Sequence, residues 1–139
     1  MEITANAVQT VASNGNVLFT ATAVPGSCSI IHRQGSGLVN LRGVTQQCRS
    51  RFRISFGGNV ALATGATVGP ITLALAIDGE AASSTSMIVT PAAVGDYFNV
   101  FSSMFLNVPR GDNYSISIKN LSGVNVDIQN ANLIVERVA

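Results

Sequence analysis

A side-chain period of two recurs along this chain from end to end, and it restricts the fold more than any other feature. "CRSRFRISF" sets Arg49, Arg51, Arg53 and Ser55 on one side and Phe52, Ile54 and Phe56 on the other. "NYSISIKN" alternates Tyr114, Ile116 and Ile118 with Ser115, Ser117 and Lys119, and "VNVDIQN" alternates Val124, Val126 and Ile128 with Asn125, Asp127 and Gln129. Successive residues of an extended chain point to opposite sides, so each run predicts a strand with one dry and one wet face. No segment repeats convincingly at the 3.6 period of an amphipathic helix.

Turn residues separate the runs: Pro25-Gly26, Gly35-Ser36-Gly37, Gly57-Gly58-Asn59, Asp78-Gly79 and Pro109-Arg110-Gly111-Asp112. Their φ preferences reverse the chain, and Asp78-Gly79 is a strong two-residue hairpin signal. Between them "NVLFTATAV", "CSIIHRQ", "LVNLRGV", "VALAT", "ITLALAI", "STSMIVT" and "ANLIVERVA" read as further strands, with "GDYFNVFSSMFLNV" holding two strands or one bent strand. Roughly eight to eleven short strands predict an all-β sandwich, for which a jelly roll is the preferred topology.

One strand breaks the wet-and-dry pattern. In Ile71–Ile77, Ile71, Leu73, Leu75 and Ile77 cover one face, but Thr72, Ala74 and Ala76 leave the other nearly as apolar. That second face needs a cover, supplied either by another layer of the same chain or by a neighbour. The composition favours a neighbour: of 139 residues only 11% are charged, against about 25% in a typical soluble domain. So little charge points to surface hidden in an oligomer. The apolar runs are broken by Gly, Pro, Ser or Asn before the roughly 20 residues of a membrane-spanning helix.

The formal net charge of +1 conceals an asymmetry. Ile3 to Ile77 contains no Asp or Glu but has Arg33, Arg42, Arg49, Arg51 and Arg53; from Asp78 onward, Asp78, Glu80, Asp96, Asp112, Asp127 and Glu136 face only Arg110, Lys119 and Arg137. The two halves can pair within a subunit or across a subunit boundary. For Arg49, Arg51 and Arg53 three readings stand: solvated or intra-subunit pairing, docking on a neighbour or capsid, and nucleic acid. The near-zero charge argues against the last, as does the lack of aromatic residues on the same strand face.

Catalytic and metal chemistry find little footing. The single histidine, His32, stands near Cys28, but no third group follows by motif and the spacing of Cys28, His32 and Cys48 matches no zinc pattern. The cysteines read as free buried thiols, with a disulfide left open. Asp78 and Glu80 read as a solvated hairpin tip, and neither a P-loop nor a dinucleotide fingerprint is present. The expectation is no enzyme, no cofactor and no metal. "MEITANAVQTVASNGN" lacks the basic start and apolar core of a secretory signal, so folding in the cytosol of the producing cell is expected.

From Arg51 to Ala139 the order of pieces resembles the C1q/TNF-like jelly-roll superfamily, especially bacterial C-terminal domains related to the exosporium glycoprotein BclA. The matching pieces are "RFRISFGGNV", "ITLALAIDGEA", "FLNVPRGDNYSISIKN" with its Pro-x-Gly-Asp corner, and "NANLIVERVA". The resemblance implies a jelly roll over 51–139, preceded by an N-terminal segment, 1–50, able to serve as a docking arm; one continuous domain over 1–139 is the alternative. It also implies a compact homotrimer in which Thr72, Ala74 and Ala76 meet a neighbouring subunit, with the reverse assignment of faces left open.

Members with collagen-like stalks carry a Gly-X-Y repeat, which this chain lacks. Together with the missing export signal, this departure implies a virion component of a bacteriophage: a trimeric head fibre, capsid decoration knob or appendage tip. Its partners would be itself, a capsid or other virion protein, and a host-surface glycan or receptor. A spore- or cell-surface knob is the alternative. A carbohydrate-binding module comes behind both, because the chain has no Trp and only two Tyr to stack on sugars.

Overall fold

The computed structural model describes residues 1–43 and 48–139. The described residues form twelve strands: β1 (Glu2–Ala5), β2 (Gln9–Val11), β3 (Ala21–Val24), β4 (Ile30–His32), β5 (Val39–Arg42), β6 (Arg49–Leu62), β7 (Ile71–Ile77), β8 (Glu80–Ala81), β9 (Met87–Val89), β10 (Phe98–Pro109), β11 (Asn113–Asn120) and β12 (Val126–Arg137). A 3-10 turn, Ser83–Thr85, lies between β8 and β9. Of the expected strand over "LVNLRGV", Val39–Arg42 forms and Val44 lies outside the described residues.

Two antiparallel sheets pack face to face. The first has the order β10-β6-β12-β1-β3, with β2 also on β12, and the second has the order β4-β5-β11-β7-β8, with β9 also on β7. From β5 onward the chain crosses repeatedly between sheets: β6, β10 and β12 enter the first, while β7 to β9 and β11 return to the second. This winding is that of a jelly roll. The first fifty residues contribute β1, β2 and β3 to one sheet and β4 and β5 to the other.

The alternation read from the sequence fills the space between the sheets. Phe52, Ile54 and Phe56 of β6, Leu133 and Val135 of β12, Ile71, Leu73 and Leu75 of β7, and Ile116 and Ile118 of β11 are all fully buried. "NVLFTATAV" forms a strand only over Ala21–Val24. Its earlier half is instead held by separate main-chain bonds, Val17 N to Ile118 O at 2.9 Å and Phe19 N to Ser36 O at 3.3 Å, which seat Val17 and Phe19 in the core.

Two expected breaks are absent. Gly57-Gly58-Asn59 is no turn, because β6 runs straight through it and neither glycine has a positive φ. Nor does close packing demand glycine there: a Cβ on Gly58 would lie 3.5 Å from the Ala131 Cα, and one on Gly57 3.7 Å from Phe101 Cδ2, both ordinary contact distances. "VNVDIQN" and "ANLIVERVA" likewise belong largely to one strand, β12, whose register shifts between Gln129 and Asn132 at a bulge where Asn130 has φ of 56°. The Asp78-Gly79 turn does form, with φ of 51° and 86° at its two residues, the paired positive values of a type I′ hairpin.

The cover for the second face of β7 comes from the same chain. Ala74 and Ala76 are 0% exposed and Thr72 is half-buried. Ala74 lies opposite Lys119, and Ala76 sits between Ser117 and Ala81. Lys119 donates from Nζ to Gly79 O, 3.2 Å away beyond the end of β7. Its stem therefore runs along the strand over the short alanine side chains. Thus Ile71, Leu73 and Leu75 are the core face, and the expectation that Ala74 and Ala76 touch a neighbour is corrected, since side chains closed over inside one subunit present no contact surface.

A direct consequence is that Ala74→Arg should destabilise the subunit itself, by about 1–3 kcal/mol of overpacking. A lowered thermal midpoint would report it, and an unchanged midpoint would mean that this face is open.

Candidate functional site

The three arginines of β6 point away from the core and lie on the outward face of the first sheet, all exposed. Pairing with β10 brings to that face residues that their own strand lacks. Arg53 stands opposite Phe105, Gly57 opposite Phe101, and Arg51 opposite Asn107. Phe101 is 66% exposed and Phe105 64%. The alternation of β10 puts Val100 and Val108 inward and its two central phenylalanines outward, the reverse of what hydrophobicity alone prefers.

On the other flank β12 sets Glu136 beside Arg53, Ile134 beside Ser55 and Asn132 beside Gly57. Beyond it, Glu2 of β1 lies next to Ile134 and Thr4 next to Asn132. The result is a broad, open face with an aromatic strip along β10, a basic end, and a mixed apolar and amide centre.

The polar groups on this face hold one another in place. Arg53 Nε donates to Glu136 Oε1 at 3.0 Å, both side chains being half exposed. Arg51 Nε donates to Asn107 Oδ1 at 3.3 Å, and Asn99 Nδ2 to Asn59 Oδ1 at 3.2 Å. Asn132 Nδ2 donates to Glu2 Oε2. Exposed pairs of this kind add little to stability. Their effect is to orient a surface in which aromatic and Arg side chains, the types that dominate binding hot spots, are already displayed.

The sequence-derived residues therefore separate. Arg49, Arg51 and Arg53 share a face with Phe101 and Phe105, whereas Thr72, Ala74 and Ala76 belong to the other sheet. The phenylalanines were not distinguished by sequence, because "FNVFSSMFLNV" has apolar residues at both parities and only its pairing with β6 selects the inward set.

The remaining chemically active residues lie elsewhere. Cys28 and Cys48 are free and exposed, not buried as expected, because both fall just outside the strands that enclose the core. His32 is half-buried at the end of β4, where Nε2 bonds Ser36 O at 3.0 Å and the ring stands edge-on to Phe19. Among the described residues no three His, Cys, Asp or Glu side chains gather to hold a metal ion.

No protein-family model matches the chain, and no curated protein matches it. Solved structures do. The globular domain of zebrafish complement 1qA protein superposes with a TM-score of 0.63 at 11% identity, over 96% of this chain and 93% of that one. Murine APRIL, solved at pH 5.0, superposes with a TM-score of 0.53 at 13% identity, over 91% of this chain and 95% of that one. At such identities the likeness establishes architecture: the fold is an all-β jelly-roll sandwich like those of the C1q and TNF type.

Proposed function

We propose that this chain is a self-assembling structural knob: a homotrimer carried by a bacteriophage-type particle as a head fibre or capsid decoration, with a role in attachment. The observation that carries the reading is the outward face of the first sheet. Two phenylalanines about two-thirds exposed share it with three arginines, Phe105 standing opposite Arg53. Burying a Phe removes about 150–250 Å² from water, which makes Phe101 and Phe105 strong anchors for a subunit contact. Exposed apolar patches of this kind mark interaction surfaces.

The role on a particle is supported by the chain's low charge, which suits a subunit that hides much of its surface in an assembly. The turns at Asp78-Gly79 and Gly111-Asp112 lie at one end of the sandwich, free to project. No enzymatic reaction is assigned. Partners are further copies of the chain, a capsid or other virion protein, and a host-surface glycan or receptor.

Light scattering tests the assembly. The wild-type protein should have three times the chain mass of 14.4 kDa, and Phe105→Glu should reduce this to one chain at micromolar concentration by burying a charge where an aromatic anchor was. A monomeric wild type removes the reading. The neighbouring genes test the particle: capsid and portal genes support a virion component, and a spore or export cluster supports a bacterial surface knob instead.

A further inference from the structure

Strand β10 is the outermost of the first sheet: among the described residues it pairs with β6 along its whole length and with no other strand. Its other side leaves main-chain N–H and C=O groups unpaired, a template for one more strand. Long edges are usually blunted by charge, a bulge or an interior proline. Here "FNVFSSMFLNVP" has no charged residue, its register with β6 is unbroken, and its proline stands at the very end. Nor is the edge covered. Ser102, Met104 and Leu106 point between the sheets yet are only half-buried, whereas their partners on β6, Phe56, Ile54 and Phe52, are fully buried.

Beside this edge a cleft of about 460 Å³ opens between the sheets. Leu106 walls it from the first sheet and Ile77 and Tyr114 from the second, and all three also pack against the core. The β7–β8 hairpin forms its rim. Glu80 pairs with Ile77, and directly opposed residues share a side, so Glu80 faces the cleft. It accepts no bond among the described residues. Asp78 uses only Oδ1, which accepts from Ser115 N and Oγ at 2.8 and 3.1 Å, leaving Oδ2 for a partner. Lys119 alternates with the inward Ile118 and reaches the hairpin from the far side of the sheet, at Gly79 O. Position selects these two carboxylates: Asp96 and Asp112 are exposed as well but do not line the cleft. Apolar walls under two unanswered carboxylates fit a side chain with an apolar stem and a cationic head.

The two features meet at Leu106. A residue paired with it on an added strand would point as Leu106 does, into the cleft and toward Glu80, while the residues before and after would lie outward beside Phe105 and Asn107. We propose that the free edge of β10 takes an extended segment of a partner polypeptide as an added strand, with a lysine or arginine of that segment opposite Leu106 seated between Asp78 and Glu80. Main-chain bonds to the edge supply affinity, and the acidic cleft supplies the choice of side chain. A second copy of β10 is the wrong occupant, because it carries no cation. The site is complete within one subunit and does not depend on the trimer proposed above.

A short synthetic peptide of alternating threonine and valine with one central lysine tests the site, titrated into the full-length protein. It should bind with half-saturation below about 1 mM. Replacing its lysine by norleucine, which keeps the stem and drops the charge, should weaken binding by at least about tenfold, the scale of a charge-assisted bond. Glu80→Gln should reduce that difference and leave the norleucine peptide unaffected. Hydrogen exchange should slow at alternate amides between Phe101 and Asn107 when the lysine peptide is bound. No binding, or equal binding of the two peptides, overturns the proposal, as does binding that leaves those amides unprotected. Alternate amides already slow without peptide mean that another copy holds the edge, and overturn it too. Light scattering decides the trimer separately: a monomer that binds the lysine peptide in this way keeps the edge site and loses the trimer, and a trimer that does not bind it loses only the edge site.

Discussion

Phe56→Ala should lower the stability of the subunit by about 3–5 kcal/mol, the usual cost of emptying a buried aromatic site. Phe56 is fully buried near the middle of β6, between Ser102 of β10 and Leu133 of β12. Its ring meets Phe19 edge-on, with centroids 6.4 Å apart and planes at 78°. That contact ties the irregular segment before β3 to an inner strand of the first sheet. Truncation removes the ring contact as well as the transfer energy, and the two long strands on either side resist collapse into the gap.

A domain of this size has only about 5–15 kcal/mol in total, so the loss is a large share of it. In urea at fixed protein concentration the midpoint should fall by about 2 M, taking a slope near 2 kcal/mol per molar. A shift below a quarter of that would mean that Phe56 is not a central core residue.

Asn120→Ala should cost about 2–4 kcal/mol, although it removes no hydrophobic surface, because it strands several buried polar groups at once. Asn120 is fully buried at the end of β11. Its Nδ2 donates to Val11 O at 3.1 Å, Ala12 O at 3.3 Å and Val124 O at 3.1 Å, and its Oδ1 accepts from Ser122 N at 2.9 Å. The main chain of the same residue exchanges bonds with Asn14 and Gly15.

One amide thus clamps the end of β2, the loop after it and the connection from β11 to β12. Asn120→Asp should be worse than alanine, since a carboxylate would face three carbonyl oxygens. Hydrogen exchange at the Ser122 amide gives the local readout and should accelerate in Asn120→Ala even below the unfolding transition. A protected Ser122 amide and an unshifted urea midpoint would together dismiss the clamp.

Much of the sandwich was legible because strand alternation is a local property. "CRSRFRISF" could be divided into Phe52, Ile54 and Phe56 inward and Arg49, Arg51 and Arg53 outward without knowledge of any partner, and the division is the one observed. The Asp78-Gly79 hairpin was equally local, since its residue types tolerate the φ values the turn requires. Gly57-Gly58 misled for the converse reason. Glycine permits a turn but does not impose one, and pairing with β10 and β12 on either side holds both residues extended within β6.

The candidate site was half legible. Arg49, Arg51 and Arg53 were visible as a stripe, but Phe105 and Glu136 come beside Arg53 only through pairing with β10 and β12, far along the chain. The cover over Ala74 and Ala76 is of the same kind, since it depends on where Lys119 lies once β11 has paired with β7.

By itself, then, the sequence determined the amphipathic strands, the two sides of each and the Asp78-Gly79 hairpin turn, because backbone geometry and burial preference act within a few residues. Tertiary structure alone decided which of two apolar faces would be closed over and which left open. A strand with hydrophobic residues at both parities has no inside until distant strands pair with it and a second sheet packs on one of its faces.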